Sequence, residues 1–259
     1  MFSRIGRSSL NFVNQAGRLL LFLLRVLARV LQPPFRARAI VRQVHFIGAR
    51  STSVILVAGF FTGMVLALQF YDTLVRFGSV SLLGSAVALA MIRELAPVLT
   101  ALVVIGRAGS AICSEIGIMR SEEQIDALEC MGVDPYSYLL APKLVATLIS
   151  VPLLTSLFII IGMIGGWFVG VVLFGVGQAA FFEGMYETVL NHDVAMGFTK
   201  SGIFGLLIVW LSAGKGFYLH LESFGAHGAE GVSRVTTDAV VLASISVLCA
   251  DYLISAIML

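Results

Sequence analysis

Residues 115–135 read EIGIMRSEEQIDALECMGVDP, and this stretch decides the fold because long apolar runs stand on both sides of it. It holds seven charged residues in a chain that is 58% hydrophobic and only 12% charged. Apolar runs of about 20 residues or more are long enough to cross a bilayer as helices. We therefore expect a polytopic helical membrane protein, in which this polar segment is a docking element between two spans.

The apolar runs predict an all-α protein with about five transmembrane helices. An outer-membrane barrel would show short alternating segments instead. No long linker divides the sequence, so residues 51–259 are predicted to form one transmembrane domain. The third run exceeds one bilayer thickness, so part of it is expected to be tilted, kinked or interfacial. The predicted spans cover residues 51–70, 79–105, 144–174, 194–213 and 239–259.

Residues 1–50 are predicted to form a basic amphipathic region that lies at the membrane surface. Nine of the 17 basic residues, all arginine, lie here, and no acidic residue precedes Asp72. This asymmetry predicts a cytoplasmic N-terminus, and an odd number of spans then puts the C-terminus outside. Arg25 and Arg29 interrupt the apolar side of the segment, which disfavours a cleaved signal peptide. The polar residues on one helical line are Arg4, Arg7, Asn11, Asn14, Arg18, Arg25 and Arg29, and leucines occupy the rest of the circumference.

The polar segment itself is predicted to form a short helix over about residues 121–132. Ser121 followed by Gln124 fits a capping box. Gly132 can adopt the left-handed conformation that ends a helix, and Pro135 cannot continue one. The helix would carry an acidic stripe beside a separate apolar strip, a pattern that suits a groove on a partner protein. The acidic stripe is Glu122, Asp126 and Glu129, and the apolar strip is Ile125, Leu128 and Met131.

Four charged residues fall within apolar runs: Arg93, Glu94, Lys200 and Asp251. An ionised side chain in the bilayer costs several kcal/mol on insertion scales, at least about 2.5. Two are basic and two acidic, so we expect Arg93 and Glu94 to find partners on other helices, with Lys200 and Asp251 as candidates. Two interpretations remain open. The pairs either fix helix packing or form a polar patch in a ligand cavity or its gate.

The sequence predicts no metal site and no nucleotide site in this chain. Cys113, Cys130 and Cys249 are scattered without metal-binding spacing, and the histidines form no ligand pattern. No phosphate-binding GxxxxGK[ST] loop is present. Glycines spaced by four residues predict close helix packing instead. These glycines are Gly59 and Gly63 in the first span and Gly162, Gly166 and Gly170 in the third.

Two neighbouring segments of the sequence closely resemble the MlaE/YrbE family of ABC-transporter permeases. They are RELAPVLTAL at residues 93–102 and GRAGSAICSEIGIMRSEEQIDALECMGVDP at residues 106–135. Ala96 replaces the glycine that is usual in that family. The resemblance extends from about Val41 through the last span. It implies a membrane subunit that moves phospholipid between the inner membrane and a periplasmic MCE-protein assembly, with no catalysis of its own.

The resemblance also implies the partners and their contact sites. The short helix would be a coupling helix inserted in a groove of a separate P-loop ATPase, which would carry the ATP and Mg²⁺. A second copy of the chain, an MCE-domain protein, phospholipid and an optional small regulatory subunit complete the expected partners, with no nucleic acid. The expected location is the inner membrane of a Gram-negative bacterium. The residues expected at the ATPase are Glu115, Gly117, Arg120, Glu122, Glu123, Asp126, Leu128, Glu129 and Gly132.

Two other functions are weighed against this one. An ion-coupled secondary transporter could use Glu94 and Asp251, but the sequence shows no inverted repeat or paired broken spans. An intramembrane enzyme would need a nucleophile or paired acids on neighbouring spans, and no such arrangement is found. A neighbouring reading frame for a P-loop ATPase would separate the first alternative from the permease.

Overall fold

The computed structural model describes residues 2–30, 36–221 and 228–258, with side chains from residue 14 onward. These residues form helices joined by short turns, and no β-strand occurs among them. Five of the helices are long and apolar enough to cross a membrane. This confirms the predicted class, an all-α polytopic membrane protein.

We number the main helices in chain order. The long helices contain short π-helical turns but run without a break. Helix α1 and two short helices, α4 and α6, flank or connect the five candidate spans in the described part of the chain. The bounds are α1 Phe2–Val30, α2 Ala37–Arg76, α3 Val80–Ser121, α4 Gln124–Cys130, α5 Tyr136–Leu173, α6 Gln178–Thr188, α7 Asn191–Phe217 and α8 Ala229–Met258.

The long helices alternate in direction, so the connections cluster at two ends of the bundle. One end, which we call the basic end, carries α1, α4 and the short helical turn Leu219–Leu221. The opposite end, which we call the far end, carries the turn between α2 and α3, helix α6 and the end of α8. The five spans are therefore predicted correctly, but α2 begins well before residue 51. Residues 37–50 continue into the first long helix rather than lying apart from it.

The closest helix pair is α2 with α5, and its contact is made by glycine. A β-carbon on Gly63 would collide with the carbonyl oxygen of Gly162, and one on Gly165 would collide with the backbone of Phe60. Such small residues let two membrane helices approach at backbone distance, where van der Waals contact is greatest. The predicted packing role is confirmed for Gly63 and Gly162, and Gly165, which was not predicted, has the same role.

Helix α1 lies across the basic end of the bundle. Phe22 is 1% exposed and packs against the rings of Tyr136 and Phe217. The indole Nε1 of Trp210 in α7 donates to the Leu19 carbonyl at 2.7 Å. Leu20, Leu21 and Leu24 stay exposed on the other side of the helix. A basic helix with exposed leucines is suited to the membrane surface.

Candidate functional site

A buried cation joins three of the long helices toward the far end. Lys200 of α7 is 0% exposed. Its Nζ donates to Glu94 Oε2 at 2.6 Å, to Ser255 Oγ at 2.7 Å and to the Arg93 carbonyl at 2.9 Å. An ammonium group has three N–H donors, and these bonds use all of them. Asp251 Oδ1, 2.9 Å away, therefore takes part through charge and not through a further hydrogen bond.

The Arg93 carbonyl is available because the backbone of α3 is irregular there. Residues Met91–Leu95 form a π-helical turn, in which the Ala96 N–H reaches back to the Met91 carbonyl. Pro97 follows and has no N–H, so the Arg93 carbonyl lacks its usual helical donor. Lys200 supplies that donor. The ammonium group of Lys200 thereby donates to a backbone carbonyl that has no helical partner, and it offsets the charge of the Glu94 and Asp251 carboxylates.

A second ion pair ties α3 to the start of α7. The guanidinium of Arg93 contacts Asp193 Oδ1 at 2.6 Å through Nη2 and 2.7 Å through Nε. Asp193 is 1% exposed, and its other oxygen accepts the N–H of Leu190 at 2.9 Å. One carboxylate thus holds the first turn of α7 and the side chain of Arg93 together.

The four charged residues predicted within the spans are brought together by the structure. Glu94, Lys200 and Asp251 meet directly, and Arg93 joins through its carbonyl. The side chain of Arg93 instead uses Asp193, which lies just before the predicted span of residues 194–213. The spacing of Leu190 and Asp193 could have indicated part of this role. Leu190 is the N-cap of α7 and Asp193 is its N3 residue, where an acidic side chain can accept the N-cap N–H.

An apolar cavity of about 170 Å³ opens next to this network. Ile92 and Val194, which line it, are the neighbours of Arg93 and Asp193 in sequence. The remaining lining residues come from the middle of α5 and from Gly197 and Phe198 of α7. The cavity is thus lined by uncharged residues, and two of them lie one position along the chain from Arg93 and Asp193.

The polar segment at the basic end does form a helix, but it begins later than expected. Ser121 is the last residue of α3, so the predicted capping box is wrong. Glu123 adopts a left-handed conformation with φ 57° and breaks the chain direction before α4. The Ser121 hydroxyl accepts the N–H of Gly228 instead. Because α3 runs through to residue 121, this serine is never in an N-cap position.

The C-terminal end of α4 agrees with the prediction. Gly132 has φ 74°, its N–H bonds to the Glu129 carbonyl, and the Val133 N–H bonds to the Leu128 carbonyl at 3.0 Å. This pair of bonds is the Schellman motif, which needs a left-handed residue and so favours glycine.

The predicted coupling residues divide into contacts within the chain and exposed groups. Glu115 pairs with the buried Lys143 at 2.7 Å, which sequence reasoning missed. Gly117 is buried against Val232 and Leu219. The residues left at the surface of α4 and its entry turn are Glu122, Glu123 and Glu129, with Leu128 half-buried and Gly132 exposed.

A chain of contacts links α4 to the end of α7. Arg120 donates through Nη1 to Asp126 Oδ1 at 2.7 Å and through Nε to His220 Nδ1 at 2.9 Å. Its guanidinium carbon also lies 5.5 Å from the centre of the Phe217 ring. Because arginine only donates, His220 Nδ1 must be unprotonated. Burial first, and the charge of Arg120 second, lower the pKa of His220 below its usual 6.5.

The apolar strip predicted on α4 is not free for a partner along its whole length. Ile125 is 0% exposed and packs into the core of this chain, whereas Met131 is 69% exposed. The described residues contain no group of three histidine, cysteine or acidic side chains that could hold a metal ion. The exposed chemistry of this surface is therefore acidic, with one methionine at its end.

The five candidate spans and the charged network buried between them define a multi-pass helical membrane protein. The family profile described as "Permease MlaE" matches residues 40–257. The chain therefore belongs to the MlaE permease family, which confirms the resemblance drawn from residues 93–135.

Individual relatives agree with this assignment. The chain is 40% identical to the "Intermembrane phospholipid transport system permease protein MlaE" of Haemophilus influenzae, over 99% of this chain and 96% of the relative. It is 38% identical to a "Probable ABC transporter permease protein" of Rickettsia felis, over 97% and 95%. The chloroplastic protein TRIGALACTOSYLDIACYLGLYCEROL 1 of Arabidopsis thaliana is 32% identical, over 89% of this chain and 64% of the relative.

Proposed function

We propose that this chain is the permease subunit of an ATP-driven phospholipid transporter. The observation that carries the proposal is the acidic helix α4, held at the basic end between α3 and α5 and tied to the end of α7. The name of the Haemophilus relative supports phospholipid as the substrate. The chain would bind and release lipid, while a separate P-loop ATPase holds ATP and Mg²⁺ and performs the hydrolysis.

The membrane site proposed for the lipid is the network of Arg93, Glu94, Lys200 and Asp251 with the adjoining cavity. The cavity is apolar enough for an acyl chain, and Arg93, whose side chain is 33% exposed, directly follows the lining residue Ile92 in sequence. Phosphate and guanidinium form strong charge-assisted hydrogen bonds. The alternative of an ion-coupled transporter gains no support, because both Glu94 and Asp251 are already engaged by Lys200.

The proposed assembly contains two copies of the chain. Helix α8 is the least covered of the five spans, and Ile245, Tyr252 and Ile257 are 54%, 73% and 83% exposed along it. A second copy would cover such a face, and a periplasmic MCE-domain protein would receive or deliver the lipid. The basic end would face the cytoplasm of a Gram-negative cell, by the positive-inside rule.

The coupling role of α4 is tested by charge reversal followed by affinity purification from membranes. Glu123→Lys and Glu129→Lys change exposed acids that hold no basic partner among the described residues. We expect the ATPase to co-purify with the wild-type chain and to be lost from the double variant. Glu183→Lys, an equally exposed reversal on α6 at the far end, is the matched control and should retain it.

Two results would contradict the docking proposal. One is the absence of any ATPase from the purified wild-type chain. The other is an ATPase that remains bound to the doubly reversed α4 variant as firmly as to the Glu183→Lys control. Asp126 is not used in this test, because its reversal would also break the internal pair with Arg120.

A further inference from the structure

Two arginines from different spans meet at one aromatic ring toward the basic end. The guanidinium carbons of Arg50 in α2 and Arg107 in α3 each lie 5.6 Å from the centre of the Phe46 ring. We propose that Arg50 and Arg107 form a binding site for the phosphate of a membrane phospholipid. This site is separate from the network around Lys200.

The backbone prepares this site through two π-helical turns, His45–Ala49 and Ile105–Gly109. In the first, the N–H of Arg50 reaches back to the His45 carbonyl, so the Phe46 carbonyl loses its usual helical donor. Arg107 Nη1 donates to that carbonyl at 3.0 Å and to Ser51 Oγ at 2.8 Å. Nη1 thus holds the Arg107 side chain in place. The N–H groups on Nε and Nη2 of Arg107 remain for a ligand.

The charges of the pair are not balanced within the described part of the chain. Neither Arg50 nor Arg107 forms an ion pair with a carboxylate there, whereas Arg29, Arg93 and Arg120 each do. Two guanidinium groups that share one ring repel each other unless an anion lies between them. Phosphate is the anion that matches the guanidinium donor geometry best.

The position of the pair along the spans favours a lipid over a water-soluble phosphate. Arg50 directly precedes the apolar run of residues 51–70, and Arg107 follows that of residues 79–105. Both therefore lie where the hydrocarbon core gives way to headgroups. Along the same line of α2, at successive turns, stand the exposed Val54, Val57 and Phe61. A phosphate at Arg50 would leave an acyl chain lying along these side chains.

The surface at the pair is open. A β-carbon added to Gly106, beside Arg107, would meet no atom within 4 Å, and the Arg50 side chain is exposed. Lipid binding at Arg50 and Arg107 does not depend on the proposed function. Only a role of this site in transport rests on that function. Binding itself can be measured without ATP or any partner protein.

The test uses the full chain in nanodiscs of phosphatidylcholine that contain a minor fraction of phosphatidylglycerol. Native mass spectrometry after release from the disc counts the phosphatidylglycerol that stays bound. Arg50→Gln should weaken its retention about ten-fold or more, the effect expected when a hydrogen bond to a charged group is lost. Arg38→Gln is the matched control, because it removes an equally exposed charge on the same helix, remote from Arg107. It should leave retention unchanged.

Each other outcome would overturn the site. Equal losses in both variants would mean diffuse surface charge, and no loss in Arg50→Gln would mean no site. Displacement of the lipid by millimolar inorganic phosphate would assign the site to a soluble anion. Arg107→Lys, which keeps the charge but loses the planar guanidinium, should also lower retention. A chain that binds lipid in this way but fails to transport would overturn the proposed function alone.

Discussion

Helix α3 makes two charged junctions, one with α7 toward the far end and one with α4 and the turn Leu219–Leu221 at the basic end, and the two differ in their access to water. Toward the far end, Lys200 is fully buried against Glu94 and the Arg93 carbonyl. At the basic end, Arg120 joins His220 and Asp126, and the Asp126 side chain is 51% exposed. Buried charges cannot be replaced by water, whereas exposed pairs are worth little and rearrange readily. The contacts of Lys200 toward the far end are therefore expected to stay fixed. The contacts of Arg120 at the basic end are those that a binding partner could rearrange.

The largest effect should come from removing the buried cation. Lys200→Met leaves Glu94 and Asp251 close together without a counter-charge and should lower the free energy of unfolding by about 3–5 kcal/mol. Denaturant titration of the purified protein in detergent micelles measures this loss. Adding Glu94→Gln and Asp251→Asn to the same variant removes the stranded charges and should recover much of the stability. A single variant as stable as the wild type would contradict the fixed junction.

A smaller loss is expected from the second buried pair. Asp193→Asn removes the counter-charge of Arg93 and weakens the bond to the Leu190 N–H, at a cost of about 1.5–3 kcal/mol for hydrogen bonds to a charged group. The same titration applies, with Glu187→Gln on exposed α6 as the neutral control. If the two variants unfold alike, Asp193 does not fasten α7 to α3.

The exposed junction should contribute far less. Asp126→Asn removes the ion pair with Arg120 and should change stability by about 0.2–1 kcal/mol, as for other surface pairs. The change should shrink further when salt is raised, because exposed charges are screened. Glu230→Gln, which breaks the exposed pair with Arg234, provides a comparison of the same kind. A loss as large as that of Asp193→Asn would remove the distinction between the two junctions.

The smallest effect should be a pH dependence at His220. Its pKa is lowered in the folded chain, so the unfolded chain binds a proton more readily as the pH falls below about 6.5. The stability that neutral His220 contributes is therefore present above that pH and is lost as the pH falls through the lowered pKa. Thermal unfolding at pH 7.5 and 5.5 should show a decrease that His220→Gln reduces. An identical decrease in that variant would exclude His220 as its source.

The sequence predicted the spans and the end of α4, because both depend on local features that residue types reveal. Apolar run length marks a membrane helix, and Gly132 marks a left-handed stop. The capping box at Ser121 was wrong because α3 continues past the point where a local motif suggested a new start. Lys143, the π-helical turns and the pairing of Asp193 with Arg93 were missed because their roles depend on which helices lie alongside. Only the N3 position of Asp193 at the start of α7 could be recognised from local spacing.

The backbone contact between Gly63 and Gly162 has a mechanical consequence. Helices in direct backbone contact have no intervening side chains whose rotamers could take up a sliding or widening movement. We expect α2 and α5 to move together as one rigid body during transport. Helix α7 is likewise in backbone contact with α3, because β-carbons on Gly197 and Gly216 would collide with the carbonyl oxygens of Ile92 and Cys113. Movement is therefore expected at α8, the least covered span, which packs on Gly117 of α3 through the side chain of Val232. A crosslink between α2 and α5 should accordingly leave turnover intact, and one between α3 and α8 at the basic end should stop it.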